Sequence, residues 1–253
     1  MQRPALSQDR TVQRIGTAQM PRPTSDAWTF RLLLIALSIT AGSTDTIGFL
    51  DLNGLFTAHI TGNLVVLAAH IVDGSHAQLA QLLAVPVFVA VLGVTILFAD
   101  GLKASQRDPL CPLLFLQFVL LICLLLLCTA AEGIGTSTGV IAGMVGVSAM
   151  AVQNVLVQLC LKGAPATAVM TSNIVRFSTD VGEVLLGRNS GDVAAARIRA
   201  AVTLPVIMGF ATGCAVGAAA EMAVGVRSLA VPAFFALFAL AFAAAEKRRR
   251  AAV

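Results

Sequence analysis

Ala41–His70, AGSTDTIGFLDLNGLFTAHITGNLVVLAAH, is the stretch around which the chain is organised. It begins inside an apolar segment yet carries Thr44, Asp45, Thr61 and Asn63 among leucines, valines and glycines. A second stretch, Met150–Glu183, repeats its plan. Thr57–Val65 (TAHITGNLV) lies over Thr167–Val175 (TAVMTSNIV) at an offset of 110, with five of nine residues identical. At that offset each half has the same order of apolar segments: long, short, long, long. The expectation is an internal duplication, and the outward reading from it is of apolar helices.

Composition agrees. The 253 residues are 57% hydrophobic and 12% charged, with a mean hydropathy of +0.87. Soluble domains hold about 45–50% apolar and about 25% charged residues. Several runs are long enough to cross ~30 Å of hydrocarbon as a helix, where the backbone must satisfy its own hydrogen bonds. The fold class expected is therefore all-α: a polytopic membrane helix bundle of two halves, with six to eight membrane segments. The net charge of +4 does not point to nucleic acid, because the basic residues sit at the two ends and in short loops, as the positive-inside rule arranges them. Cys111, Cys123, Cys128, Cys160 and Cys214 lack CxxC spacing and lie in or beside apolar segments, so free thiols are expected. Residues 1–27 hold Arg3, Arg10, Arg14 and Arg22 without an apolar core. They read as a disordered cytoplasmic tail, with the first membrane helix serving as the targeting signal.

The expected segments are Trp28–Leu50, with Ser25 or Asp26 as cap and Trp28 as interfacial anchor, then Thr57–Val72, Leu79–Ala99 and Leu110–Ala131. The second half offers Thr138–Cys160, Ala168–Leu186, a basic loop with Arg188, Arg197 and Arg199, then Val202–Met222 and Leu229–Ala245. The domain plan is a tail over 1–27, one repeat over 28–135, a second over 136–246, and a basic cytoplasmic tail over 247–253. Two topologies compete. If the short segments cross, there are eight spans and parallel halves. If they are re-entrant, there are six spans and inverted halves, and only Arg227 among Lys103, Arg107, Lys162 and Arg227 falls outside. The positive-inside rule favours six.

Asp45 leads the candidate site residues, because an acid near a helix centre costs about 2.5–3.5 kcal/mol on insertion scales and faces a partner or a wet cavity. Ser38, Ala41, Gly42 and Gly48 share its face, and Thr44 adjoins it. Thr61, Gly62 and Asn63, with Thr171 and Asn173, supply hydroxyl and amide donors and acceptors that could meet between the halves; the bland alternative is glue between helices. Gln153 and Asn154, with Gln158, stand in the second half where the first has Asp45. Arg176 and Asp180 are spaced i,i+4 as a structural pair, with Glu183 one turn on, and Asp180 is otherwise a second proton or cation ligand. Gly209, Gly213 and Gly217 form a packing ladder that ends at Glu221, near Arg227. His59, His70 and His76 show no metal-binding spacing, and Gly146–Met150 lacks the second glycine and the base of a hydrolase elbow. No metal, cofactor or catalytic set is expected.

The combination of AGSTDTIGFL (Ala41–Leu50), TAHITGN (Thr57–Asn63), AVQN (Ala151–Asn154) and MTSNIVRFSTDVGE (Met170–Glu183) resembles the YoaK-like family of bacterial inner-membrane proteins, over residues from about 30 to 245. The resemblance implies an integral protein of the cytoplasmic membrane and brings no substrate or reaction. From the residues, the favoured function is a small-solute secondary transporter or permease, not an enzyme, with a polar site between two repeats. Its expected partners are the lipid bilayer and a small solute, proton or cation, with a homo-oligomer left open. The alternatives are an embedded enzyme acting on a lipid-soluble substrate and a non-catalytic membrane sensor. Both termini are expected in the cytoplasm.

Overall fold

The computed structural model describes residues 25–72, 79–130, 137–187 and 190–251, so residues 1–24 of the expected tail, residues 73–78 with His76, and Arg188 lie outside the described residues. Everything regular among them is helical: α1 Ser25–Asp51, α2 Ile60–Val72, α3 Leu79–Ala104, α4 Leu110–Ala130, α5 Ser137–Cys160, α6 Met170–Leu186, α7 Ser190–Val224, a short 3-10 helix Gly225–Leu229, and α8 Ala230–Ala251. Five stretches are long and apolar enough to cross a membrane, and one of them, Gly191–Ala251, contains both α7 and α8. Leu97, Val94, Phe115, Leu126, Phe234 and their like point outward. A soluble monomer rarely exposes contiguous apolar area of that extent, so the surface suits lipid.

The packing exchanges the halves. α1 lies against α7 and α8, α5 lies against α3 and α4, α4 meets α8, and the short helices α2 and α6 rest on α3 and α7. Small residues permit the closest crossing: a Cβ on Gly42 would strike the Phe210 carbonyl, and one on Gly213 would strike Ile39. The apolar core divides by depth. One cluster gathers Ala41 and Ile47 of α1 with Leu124, Ala84, Val147 and Ala233. The other gathers Leu33 and Leu37 with Leu113, Leu156, Val206 and Ala243.

Sequence boundaries hold to within a few residues except at α7. The expected basic loop is helical from Ser190, so Arg197 and Arg199 ride on the first turns of a 35-residue helix. The segment VAAARIRAA is rich in strong helix formers, and Arg199 is held by acids of α6. Likewise α8 continues past the expected Ala245 through Lys247–Arg250.

Candidate functional site

α1 ends because Asn53 and Gly54 both take positive φ, 55° and 76°, and the Gly54 N–H closes onto the Phe49 carbonyl at 3.0 Å. This left-handed C-terminal cap reverses the chain. The following segment, 52–59, turns back along α1 instead of leaving it. Leu55 is wholly buried and abuts Gly143 of α5. The Thr57 methyl sits where a Cβ on Gly48 or Gly146 would come within 3.0 and 3.1 Å. The small residues of α1 and α5 therefore make room for an unwound strand of backbone between them.

Unwound backbone away from water needs partners, and Asp45 supplies them. Its Oδ1 accepts the N–H of Thr57 at 2.8 Å and of Ala58 at 2.7 Å, with the Thr57 hydroxyl and His59 N–H at 3.4 Å. Its Oδ2 stands 2.6 Å from His59 Nδ1. Asp45 is 5% exposed, whereas the His59 side chain is 37% exposed. The imidazole packs edge-on to Phe210 of α7, with ring centroids 5.4 Å apart, and to Phe56 at 6.3 Å. A buried carboxylate thus contacts a half-open imidazole, at the break between two helices. Such a pair can hold a proton and pass it to a group reaching the open face of the ring.

One turn into α2, Asn63 secures the same segment. Its Oδ1 accepts the Phe56 N–H at 2.9 Å and its amide donates to the Phe56 carbonyl at 2.8 Å. Gly62 faces the Phe56 ring closely enough that an added Cβ would sit 2.9 Å from it. Thr44 turns inward onto the Thr40 carbonyl at 2.7 Å. Thr61 is exposed.

The second half has a parallel arrangement. Gly163 takes φ 83° after α5, and Asn173 of α6 donates to the Ala166 carbonyl at 2.6 Å. Gln153 replaces the acid: its amide donates to the Thr167 hydroxyl at 2.8 Å and the Leu37 carbonyl of α1 at 2.9 Å, and its oxygen accepts from Gln117 of α4 at 2.6 Å. Asn154 bonds the Met150 carbonyl of its own helix, and Thr171 is exposed. The two T-[GS]-N tripeptides thus serve their own chain breaks. Only the asparagines face inward.

Asp180 is engaged by Arg199 of α7, at 2.6 Å from Nη2 and 2.7 Å from Nε, and Glu183 takes the same guanidinium at 2.9 Å. This corrects the expected Arg176–Asp180 pair. Arg176 is exposed, because tertiary packing of α6 on α7 brings a better-placed cation than the i,i+4 neighbour. Glu221 ends the glycine ladder as expected, and its carboxylate accepts the Ser228 hydroxyl. Among the described residues no group of His, Cys, Asp and Glu is arranged to hold a metal ion.

Sequence reasoning missed His59, Gln117 and Arg199. Gln117 had a signal, as the lone amide side chain in the apolar run of α4. His59 had none in its spacing, because its contact with Asp45 depends on the reversal at Asn53 and Gly54.

The family profile described as "Protein of unknown function (DUF1275)" matches residues 33–242. The chain belongs to that family. The match is consistent with the YoaK-like resemblance and covers both polar arrangements. No curated protein and no solved structure matches.

Proposed function

We propose that this member of the family is a small-solute secondary transporter of the bacterial cytoplasmic membrane, in which the Asp45–His59 pair carries the coupling proton. The observation that bears most weight is the 2.6 Å contact between buried carboxylate and half-open imidazole on an unwound segment. Discontinuous helices that meet polar side chains inside a bundle are the common form of transporter sites. Intramembrane ionisable residues are costly and mark ion or proton paths.

In this reading the two halves are inverted repeats, each of three spans and one re-entrant segment. Three sets of contacts support it. The helix neighbours exchange symmetrically, α1 with α7 and α8 against α5 with α3 and α4. Asn63 grips Phe56 as Asn173 grips Ala166, both pairs related by the offset of 110. Asp45 meets Thr57 as Gln153 meets Thr167. The loop at Asp108 also shares a cleft with Thr29 near the start of α1 and Lys247 near the end of α8, which supports a common side for the α3–α4 connection and those two helix ends. That end holds Lys103, Arg107, Lys162 and Lys247–Arg250 against Arg227 at the other, so it is cytoplasmic by the positive-inside rule. A duplication that kept an amide in one half and an acid in the other leaves one clamp static and one titratable.

A second reading has its own support: Asp45 Oδ1 is fully occupied by backbone donors, as in a purely structural lock. Asp45→Asn separates the two, because the amide oxygen still accepts from Thr57 and Ala58. The full chain would be reconstituted in vesicles holding a pH dye and challenged with small cationic, zwitterionic and anionic solutes. A solute-driven pH change in wild type that vanishes in Asp45→Asn and His59→Phe, at equal insertion, supports transport. Undiminished solute-driven proton movement in Asp45→Asn sinks the assigned role.

A further inference from the structure

Two adjoining clefts open at the end of the bundle opposite the Asp45 site. The first, of about 510 Å³, lies among α1, α4, α5 and α8, and the second, of about 670 Å³, lies between α8 and the α3–α4 connection. They share Asp108, Cys111 and Lys247 as a common border. The floor of the first is apolar, formed by Phe30, Leu33 and Phe242, while Phe115 and Leu240 wall the second. The rim is ionic. Lys162, Lys247 and Arg250 line the first cleft and Arg107 the second, with Asp108 and Glu246 as the acids among them.

Two partly apolar clefts that meet at Lys247, with cations in excess of acids along their combined lining, match a particular chemistry: an anionic phosphate from which two hydrocarbon chains depart. We propose that the paired clefts hold one anionic phospholipid, its phosphate at Lys247 and Lys162 and one acyl chain in each groove. The charge count selects its headgroup class. Four cations against two acids leave an excess of positive charge, which favours a phosphodiester with net negative charge over a zwitterion. Glu246 already pairs with Arg250 at 3.4 Å, and Asp108 accepts the Leu110 N–H at 3.1 Å. Both carboxylates can accept further hydrogen bonds, so a headgroup bearing hydroxyls is satisfied where one bearing only methyls is not. Basic pockets between helices at the cytoplasmic face are suited to anionic headgroups. The assignment rests on the topology of the proposed reading but not on its proton coupling, since none of the lining residues is Asp45 or His59.

The test is lipid retention by the full chain, purified in detergent and observed intact by native mass spectrometry after titration with phosphatidylglycerol or phosphatidylcholine of matched chains. One retained phosphatidylglycerol is expected, preferred by roughly tenfold. Lys162→Gln and Lys247→Gln should each reduce that preference roughly fivefold, the change expected for loss of one cationic contact at a membrane surface. Equal retention of the two lipids, or an unchanged preference in both variants, overturns the proposal. Competition by soluble glycerol phosphate at the same concentration as the lipid would also overturn it, in favour of a free phosphate ligand. A measurement on the wild-type chain guards against misfolded variants: maleimide labelling of Cys111 and Cys160, both partly exposed in the first cleft, should slow with phosphatidylglycerol while that of Cys123 does not. Equal slowing at all three thiols counts against an occupied cleft.

Discussion

Asn63 and Thr61 stand two positions apart on α2, and the same sequence motif suggested both as ligands. Asn63 is wholly buried and closes two hydrogen bonds on the Phe56 backbone, whereas Thr61 is exposed. Asn63→Ala leaves a buried N–H and C=O without partners, at a cost of about 1–3 kcal/mol. Thr61→Ala should stay within about 0.5 kcal/mol of wild type. Thermal unfolding in detergent checks the contrast, and equal midpoints would show that the Phe56 backbone finds other partners. The contrast also marks what the sequence could reveal. The recurring tripeptide was legible because recurrence is a pattern along the chain. Which of its residues turns inward was not, since that depends on how the preceding loop folds back. Asp45 was legible as an acid in an apolar run, but its partner His59 lies beyond a chain reversal and obeys no helical spacing.

Elements in this bundle meet through absence of side chain. Gly42, Gly209, Gly213 and Gly217 let α1 and α7 approach until backbone meets backbone, as small residues do in membrane helix pairs. Gly213→Val would drive its side chain into Ile39 and force the helices apart. Gly93→Ala and Gly101→Ala meet nothing within 4 Å and should be neutral or stabilising by up to about 1 kcal/mol through helix propensity. Folded yield by fluorescence-detected size exclusion distinguishes these outcomes; normal yield for Gly213→Val would deny the close crossing. The ladder was readable from its fourfold spacing, but the partner helix was not. The same blindness explains the Arg176 expectation, since i,i+4 reasoning sees one helix at a time. Arg199 reaches Asp180 from α7, and Arg199→Gln should cost about 1–3 kcal/mol by leaving a buried acceptor unsatisfied, with Arg176→Gln close to wild type. A reversed ranking in thermal unfolding would restore the local pair.

Across the whole molecule, polarity sorts by end. Lysines and arginines crowd where α1 starts and α8 finishes, while Glu221 and Ser228 meet where α7 finishes. The composition made the membrane class legible, but the sequence left the path of the short segments open, because helix length alone does not say whether 13 residues of α2 cross or return. Burial of Leu55 and Thr57 against α1 and α5 favours return: the chain enters as loop, begins α2 about 9 Å inside the end of α1 at the level of Asp45, and leaves beside α3. If so, the connection between α3 and α4 must share a side with the C-terminus. A compartment-sensitive reporter placed at Ser105, exposed between those helices, should give the same cytoplasmic signal as one fused after the final residue. Opposite signals would mean that α2 crosses. They would make the halves parallel, separate Asp108 from Lys247, and remove both the inverted repeat and the lipid cleft at once. Matching signals keep both, and leave the Asp45–His59 contact in the half whose chain break is held by an acid.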